Sequence, residues 1–299
     1  MYQEYFYEIE NIIKKNLEKR HMEKITLFGE LEKSARELFS SDRVLIITGF
    51  LIKGTKKGET DGPIGAVSLA AALKELRKDV LIVTDIYSEP LIYAACKARG
   101  IDVGVEIISY GEEELFCNDL LKWYNPSHIV GIERPGKSKN GKYYSMRGED
   151  LTDEIPNGDI IFENAKKNNI TTICIGDGGN EIGMGKVYDL VKQYVPKGEL
   201  ICAAFQADYL ITAGVSNWGA HGLVSALAIL SGENLLYDED MEKNILQSII
   251  KVGGIDGCSK KNTLTVDGLS LKENTDIINE LRKIIQLAFE KNKKFAFVE

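Results

Sequence analysis

Short apolar runs rich in β-branched residues recur along this chain, and stretches of helical periodicity separate them. The runs are RVLIITGF (43–50), DVLIVTD (79–85), DVGVEIIS (102–109), SHIVGI (127–132) and TTICIG (171–176), with one or two more in ELICAAFQADYLITAG (199–214). A continuous run, rather than an alternating one, marks a strand covered on both faces. Strands that alternate with helices imply crossover connections and a mostly parallel sheet. The expected fold class is therefore α/β, a mostly parallel sheet flanked by helices, with any site at the carboxyl ends of the strands. Residues 1–40 read as two N-terminal helices, and 238–252 and 273–292 as closing helices. At 299 residues and 44% apolar content the chain can bury a full core. No repeat or compositional break divides it, so one unit over 1–299 is expected, with a smaller lobe from 238 onward as the alternative.

The unusual residues gather just after the strands. GETDGPIGA follows the first run, IYSEP the second, ERPG the fourth, GDGGNEIGMG the fifth and VSNWGAHG the last. Ligands of open α/β sheets bind outside the carboxyl ends of the strands, so these segments should converge on one crevice. The loop CIGDGGNEIGMGKV (174–187) has no lysine at the spacing of a P-loop, and its G-x-G is a weak dinucleotide signal. Asp177, Asn180 and Glu181 instead offer hard oxygens suited to Mg²⁺ or Mn²⁺. The glycines Gly178 and Gly179 allow tight turns and present N–H groups to an anion.

Asp61 is either a helix cap or a metal ligand. Glu133 at a strand end needs a cationic partner, because a buried carboxylate is costly alone. Arg134 and Arg147 could grip a carboxylate in a bidentate fork, or pair structurally. Ser216 or Asn217 reads as a helix cap. His221 is either a proton carrier or a satisfied structural histidine.

Totals remove several classes. The net charge is −8 with no long basic block, which argues against nucleic acid and anionic membrane as partners. The three histidines form no zinc-binding pair, and the five cysteines are scattered as reduced thiols would be. The N-terminus lacks a signal-peptide core, and no run reaches a membrane span, so a cytoplasmic location is expected.

Taken in order, ETDGPIGA, IERPG, YYSMRGEDLT, IGDGGNEIGMG and VSNWGAHGL resemble the D-glutamate cyclase family over roughly residues 40 to 235. The domain was long classed as of unknown function, and eukaryotic members carry it at the C-terminus of a longer mitochondrial protein. The resemblance implies a carbon–oxygen lyase that closes D-glutamate to 5-oxo-D-proline with loss of water. It implies a divalent cation, Mn²⁺ or Mg²⁺, among Asp61, Glu133, Asp177, Asn180 and Glu181. Glu133, Asp177 and His221 would then be catalytic. Arg134, Arg147, Gly178, Gly179, Ser216 and Asn217 would hold a small amino-acid substrate. A homodimer is compatible with this. A metal-dependent phosphohydrolase is the first alternative, since acidic residues at strand ends would serve phosphate equally well. A non-catalytic metabolite-binding module is the second.

Overall fold

The sheet is parallel throughout, and its strand order places the site. A computed structural model of the chain describes residues 2–296, with side chains as far as Lys291; Met1 and 297–299 lie outside the described residues. The chain opens with helix α1 (Gln3–Ile13), a 3₁₀ turn (Leu17–Arg20) and α2 (Glu30–Ser40), as the apolar spacing predicted. Strand β1 (Arg43–Thr48) leads to a small hairpin, β2 (Leu51–Ile52) with β3 (Lys57–Gly58), and then α3 (Pro63–Glu75). The units β4 (Asp79–Asp85) with α4 (Glu89–Arg99), and β5 (Gly104–Ile108) with α5 (Glu113–Tyr124), follow. Then come β6 (His128–Ile132), α6 (Asp159–Lys167), β7 (Thr171–Gly176), α7 (Tyr188–Tyr194), α8 (Gly198–Ile201) and β8 (Tyr209–Thr212). The chain ends in α9 (Ser216–Ser231), α10 (Glu239–Lys251), the hairpin β9 (Thr265–Val266) with β10 (Leu269–Ser270), and α11 (Leu271–Ala296).

The six-stranded sheet runs β5-β4-β1-β6-β7-β8. Counted along the chain this is 3-2-1-4-5-6, the doubly wound order, which reverses between β1 and β6. Thr48 pairs with Ile132 across that reversal, so the loops leaving these two strands part and open a crevice. Both faces of the sheet are covered. Val44, Ile46, Val130 and Ile173 face the core formed with α1, α2, α3, α4, α9, α10 and α11. Leu45, Ile47, Ile129 and Cys174 face the core formed with α5, α6 and α7. Two-sided burial explains why these strands read as unbroken apolar runs. Helices α3 and α9 are buried nearly all round. That is why their apolar residues form no stripe.

Two expectations need correction. Residues 199–207 are not strand: α8 covers the start, and only Tyr209–Thr212 joins the sheet. Gly198 explains the tight turn there, since a Cβ would lie 2.0 Å from the Val191 carbonyl oxygen. The helix expected from Glu181 begins at a 3₁₀ turn, Gly185–Val187, and becomes α7 only at Tyr188. Residues 181–184 instead lie along the loop after β6. The closing segments pack on the rest of the chain, α10 against α4 and α11 against α9 and α1.

Candidate active site

The sequence-predicted acidic residues meet at the reversal point. The loop after β6 holds Glu133 with φ +43, an uncommon conformation for a non-glycine residue. It is pinned there. Its N–H donates to the Ile175 carbonyl, and Ile182 N–H and Gly136 N–H bond to Arg134 O and Asn180 O. These bonds lay the loop after β6 alongside the loop after β7, so Glu133 and Glu181 become neighbours. Gly62, at φ +93, lets the third loop close in: a Cβ there would stand 2.9 Å from the Glu133 Cβ and 2.7 Å from Thr48 Oγ1.

Helices α3 and α9 cap each other. Asp61, just before α3, accepts the Ser216 and Asn217 N–H groups that open α9, at 2.9 and 2.8 Å. Asn217 Oδ1 in turn accepts the Gly62 and Gly65 N–H groups that open α3, at 2.9 and 2.8 Å. Both helix N-termini are thus brought to the acidic cluster, where their partial positive charge is favourable.

Two triads share Asp177. Oxygens of Glu133, Asp177 and Glu181 lie within 4.8 Å of one another, as do those of Asp61, Asp177 and Asp267. All but Asp267 are buried. Among the described residues, Asp177 Oδ2 and Asn180 Oδ1 have no hydrogen-bond partner, and Asp177 Oδ1 meets only the Arg20 guanidinium, although both side chains are buried. Gly178 turns a bare α-carbon toward these donors: a Cβ there would meet Glu181 Oε1 at 2.9 Å and Asn180 Oδ1 at 3.1 Å. Buried polar groups are normally satisfied. Unpartnered hard oxygens beside a carboxylate cluster therefore fit a divalent cation.

Burial first, and then mutual repulsion, pushes the acids up. Glu133 is held well above the usual carboxylate range by burial and by Glu181, Asp61 and Glu59. Burial raises Asp177 likewise, against the opposing charge of Arg20. Burial and Asp267 raise Asp61 to about 7, though the backbone hydrogen bonds from Asn217 and Ser216 pull the other way. Glu59 is raised by burial, Asp267 and Asp61.

Three groups of the site, Arg20, Asp267 and Glu59, were not among the residues expected to form it. Arg20 ends the 3₁₀ turn and places its Nη atoms 2.9 Å from Asp177 and 2.5 Å from Asp267. Burial alone would weaken its charge, but Asp177, Asp267 and Glu133 hold the guanidinium firmly ionised. Asp267 sits at the tip of the β9–β10 hairpin, where Asp267 and Gly268 both take positive φ, 54° and 74°. Asp-Gly between Val266 and Leu269 is a two-residue hairpin signal, and it could have located that turn. Glu59 lies beside Asp61 and is fixed by a bridge to Ile255.

A cleft of about 320 Å³ opens over the cluster, lined by Arg20, Glu59, Glu133, Asn180 and Asp267, with Arg147 and Met146 also in its wall.

Several expected roles do not match the positions. Arg134 is buried and committed to Asp85, the Gly49 carbonyl and the Pro156 carbonyl. It is a structural ion pair beneath the site, not a free fork for substrate. His221 lies inside α9 against Ser68, Glu242 and Tyr237, away from the cleft lining. It is a packed core histidine, because the buried length of α9 carries it away from the strand ends. The N–H groups of Gly178 and Gly179 are taken by Glu181, at 2.9 and 2.8 Å. The Asn217 side chain is spent on α3, and Ser216 Oγ donates to Glu133. Arg147 remains at the cleft mouth, with Nη2 3.2 Å from the Cys258 carbonyl.

A family model described as D-glutamate cyclase-like, C-terminal, matches residues 9–282. The chain belongs to that family. The match is wider than the motif-bearing stretch of roughly 40 to 235, and it takes in Arg20 and Asp267. Human mitochondrial D-glutamate cyclase is 36% identical over 215 residues, 67% of this chain. The matched stretch spans 35% of that relative's length. Within the family's fold, no described helix is long and apolar enough to cross a membrane. All five cysteines are free, four of them buried.

Proposed function

We propose that this chain is a D-glutamate cyclase-like lyase that converts D-glutamate to 5-oxo-D-proline and water with a divalent cation. The carrying observation is the cluster itself: Asp177, buried with one oxygen unbonded and the other facing Arg20, shared between two carboxylate triads under a cleft. Family membership supplies the substrate class.

Glu133, Asp177, Asn180 and Glu181 would hold the cation. When bound, it masks carboxylate charge and acts as a Lewis acid. The chain's residues supply the rest. In the reaction the substrate amine bonds to the distal carboxyl carbon, one C–O bond breaks, and two amine protons leave with that oxygen as water. Arg147, at the cleft mouth, meets the α-carboxylate. That fixes one end of the substrate and leaves its flexible chain to fold back toward the cluster. Glu59 lines the cleft and stands outside both triads. Its raised affinity for protons suits a group that takes a proton from the amine and returns it to the departing oxygen. It replaces His221 in that role.

The test is incubation with D-glutamate, L-glutamate or a phosphate ester, with and without Mn²⁺. Lactam from D-glutamate only with metal supports the cyclase reading. Phosphate release without lactam supports the hydrolase, and binding without turnover supports the regulatory module.

A further inference from the structure

The two triads that meet at Asp177 have the donor set of a two-ion centre, in which a shared carboxylate stands between cations roughly 3.5–4 Å apart. The halves are not equivalent. The half made by Asp61, Asp177 and Asp267 already contains a cation: the Arg20 guanidinium reaches Asp177 with one Nη and Asp267 with the other. In the other half, among the described residues, Glu181 accepts only from the Gly178 and Gly179 N–H groups, and Glu133 from Ser216 Oγ. The unbonded Asn180 Oδ1 belongs to that second half.

Resting on the metal reading above, we infer that Arg20 is a resident substitute for a second metal ion and limits this centre to one. A guanidinium is planar, stays charged when covered, and presents two N–H edges to two carboxylates at once. Its side chain is 19% exposed and tethered at the end of the Leu17–Arg20 turn, so it occupies its half at every metal concentration. A second divalent ion would have to displace it or sit against like charge. The consequence is asymmetry: the cation is confined to the side of Glu133, Asn180 and Glu181, while Asp267 serves Arg20 and Asp61 caps α9.

The experiment is Mn²⁺ titration of the full chain by calorimetry, with EPR on the loaded protein. The wild type should bind one ion per chain and give an uncoupled spectrum. Arg20→Met should bind two and show exchange coupling, whereas Arg20→Lys should bind one. Two ions in the wild type, or one in Arg20→Met, overturns the inference and leaves the metal reading standing. No ion in the wild type overturns both. Should circular dichroism show Arg20→Met unfolded, Asp267→Asn and Glu181→Gln decide. The inference expects less than tenfold weakening of Mn²⁺ in the first and at least a hundredfold in the second. Equal losses contradict it.

Discussion

Asp177, Asn180, Glu181, Asp61 and Glu133 were legible one residue at a time because each is an oxygen donor in a glycine-rich or strand-end segment. Arg20 was not, because it lies in the N-terminal stretch read only as helix, ahead of the strands whose ends mark the site. Arg134 and Arg147 looked equivalent in sequence and are not. Arg134→Met breaks the buried pair with Asp85, and stranding a buried charge costs about 3–5 kcal/mol. It should lower the unfolding midpoint. Arg147→Lys should leave that midpoint in place and raise KM for the amino acid, since lysine lacks the fork. Thermal melts beside steady-state kinetics separate the two. For Glu59→Gln, loss of proton transfer predicts a kcat reduced about 10²–10⁴-fold with Mn²⁺ affinity retained. Unchanged kcat would remove Glu59 from the mechanism.

At the scale of elements, the strands were readable because two-sided burial writes an unmistakable apolar run. The 199–207 segment misled because apolar residues also line a buried irregular stretch, and periodicity cannot separate the two over so few residues. The clasp between α3 and α9 was invisible, since Asp61 and Asn217 are 156 residues apart. Asn217→Ala leaves the Gly65 N–H unpaired in the interior and Gly62 N–H with Asp61 alone, at a cost of roughly 1–3 kcal/mol for the buried group. Hydrogen exchange should rise at the start of α3 more than in β1. Uniform change across the chain would deny the clasp a local role.

At the scale of the whole molecule, the doubly wound order explains why residues from the loops after four strands share one site. It also explains a stability problem. Glu59, Asp61, Glu133 and Asp177 all have raised folded-state pKa values, Asp61 to about 7, whereas unfolded carboxyls titrate near 4. Between those values the folded chain holds protons that the unfolded chain has released, so stability falls as pH rises. Chelator-treated protein should therefore melt lower at pH 8 than at pH 5. Metal binding favours the ionised acids, so the gain in melting temperature from Mn²⁺ should be larger at pH 8. A gain that is equal or larger at pH 5 would contradict the assignment of Glu133 and Asp177 to a cation.

The central claim joins one cluster to one reaction, and the product of racemic glutamate tests it most directly. Fixing the α-carboxylate, the amine and the distal carboxylate together misplaces one of them in the mirror image, which costs orders of magnitude in rate. Chiral chromatography after incubation with Mn²⁺ should show 5-oxo-D-proline, with L-glutamate left over and no product after chelation. Equal consumption of both enantiomers, or no lactam with metal present, would contradict the account.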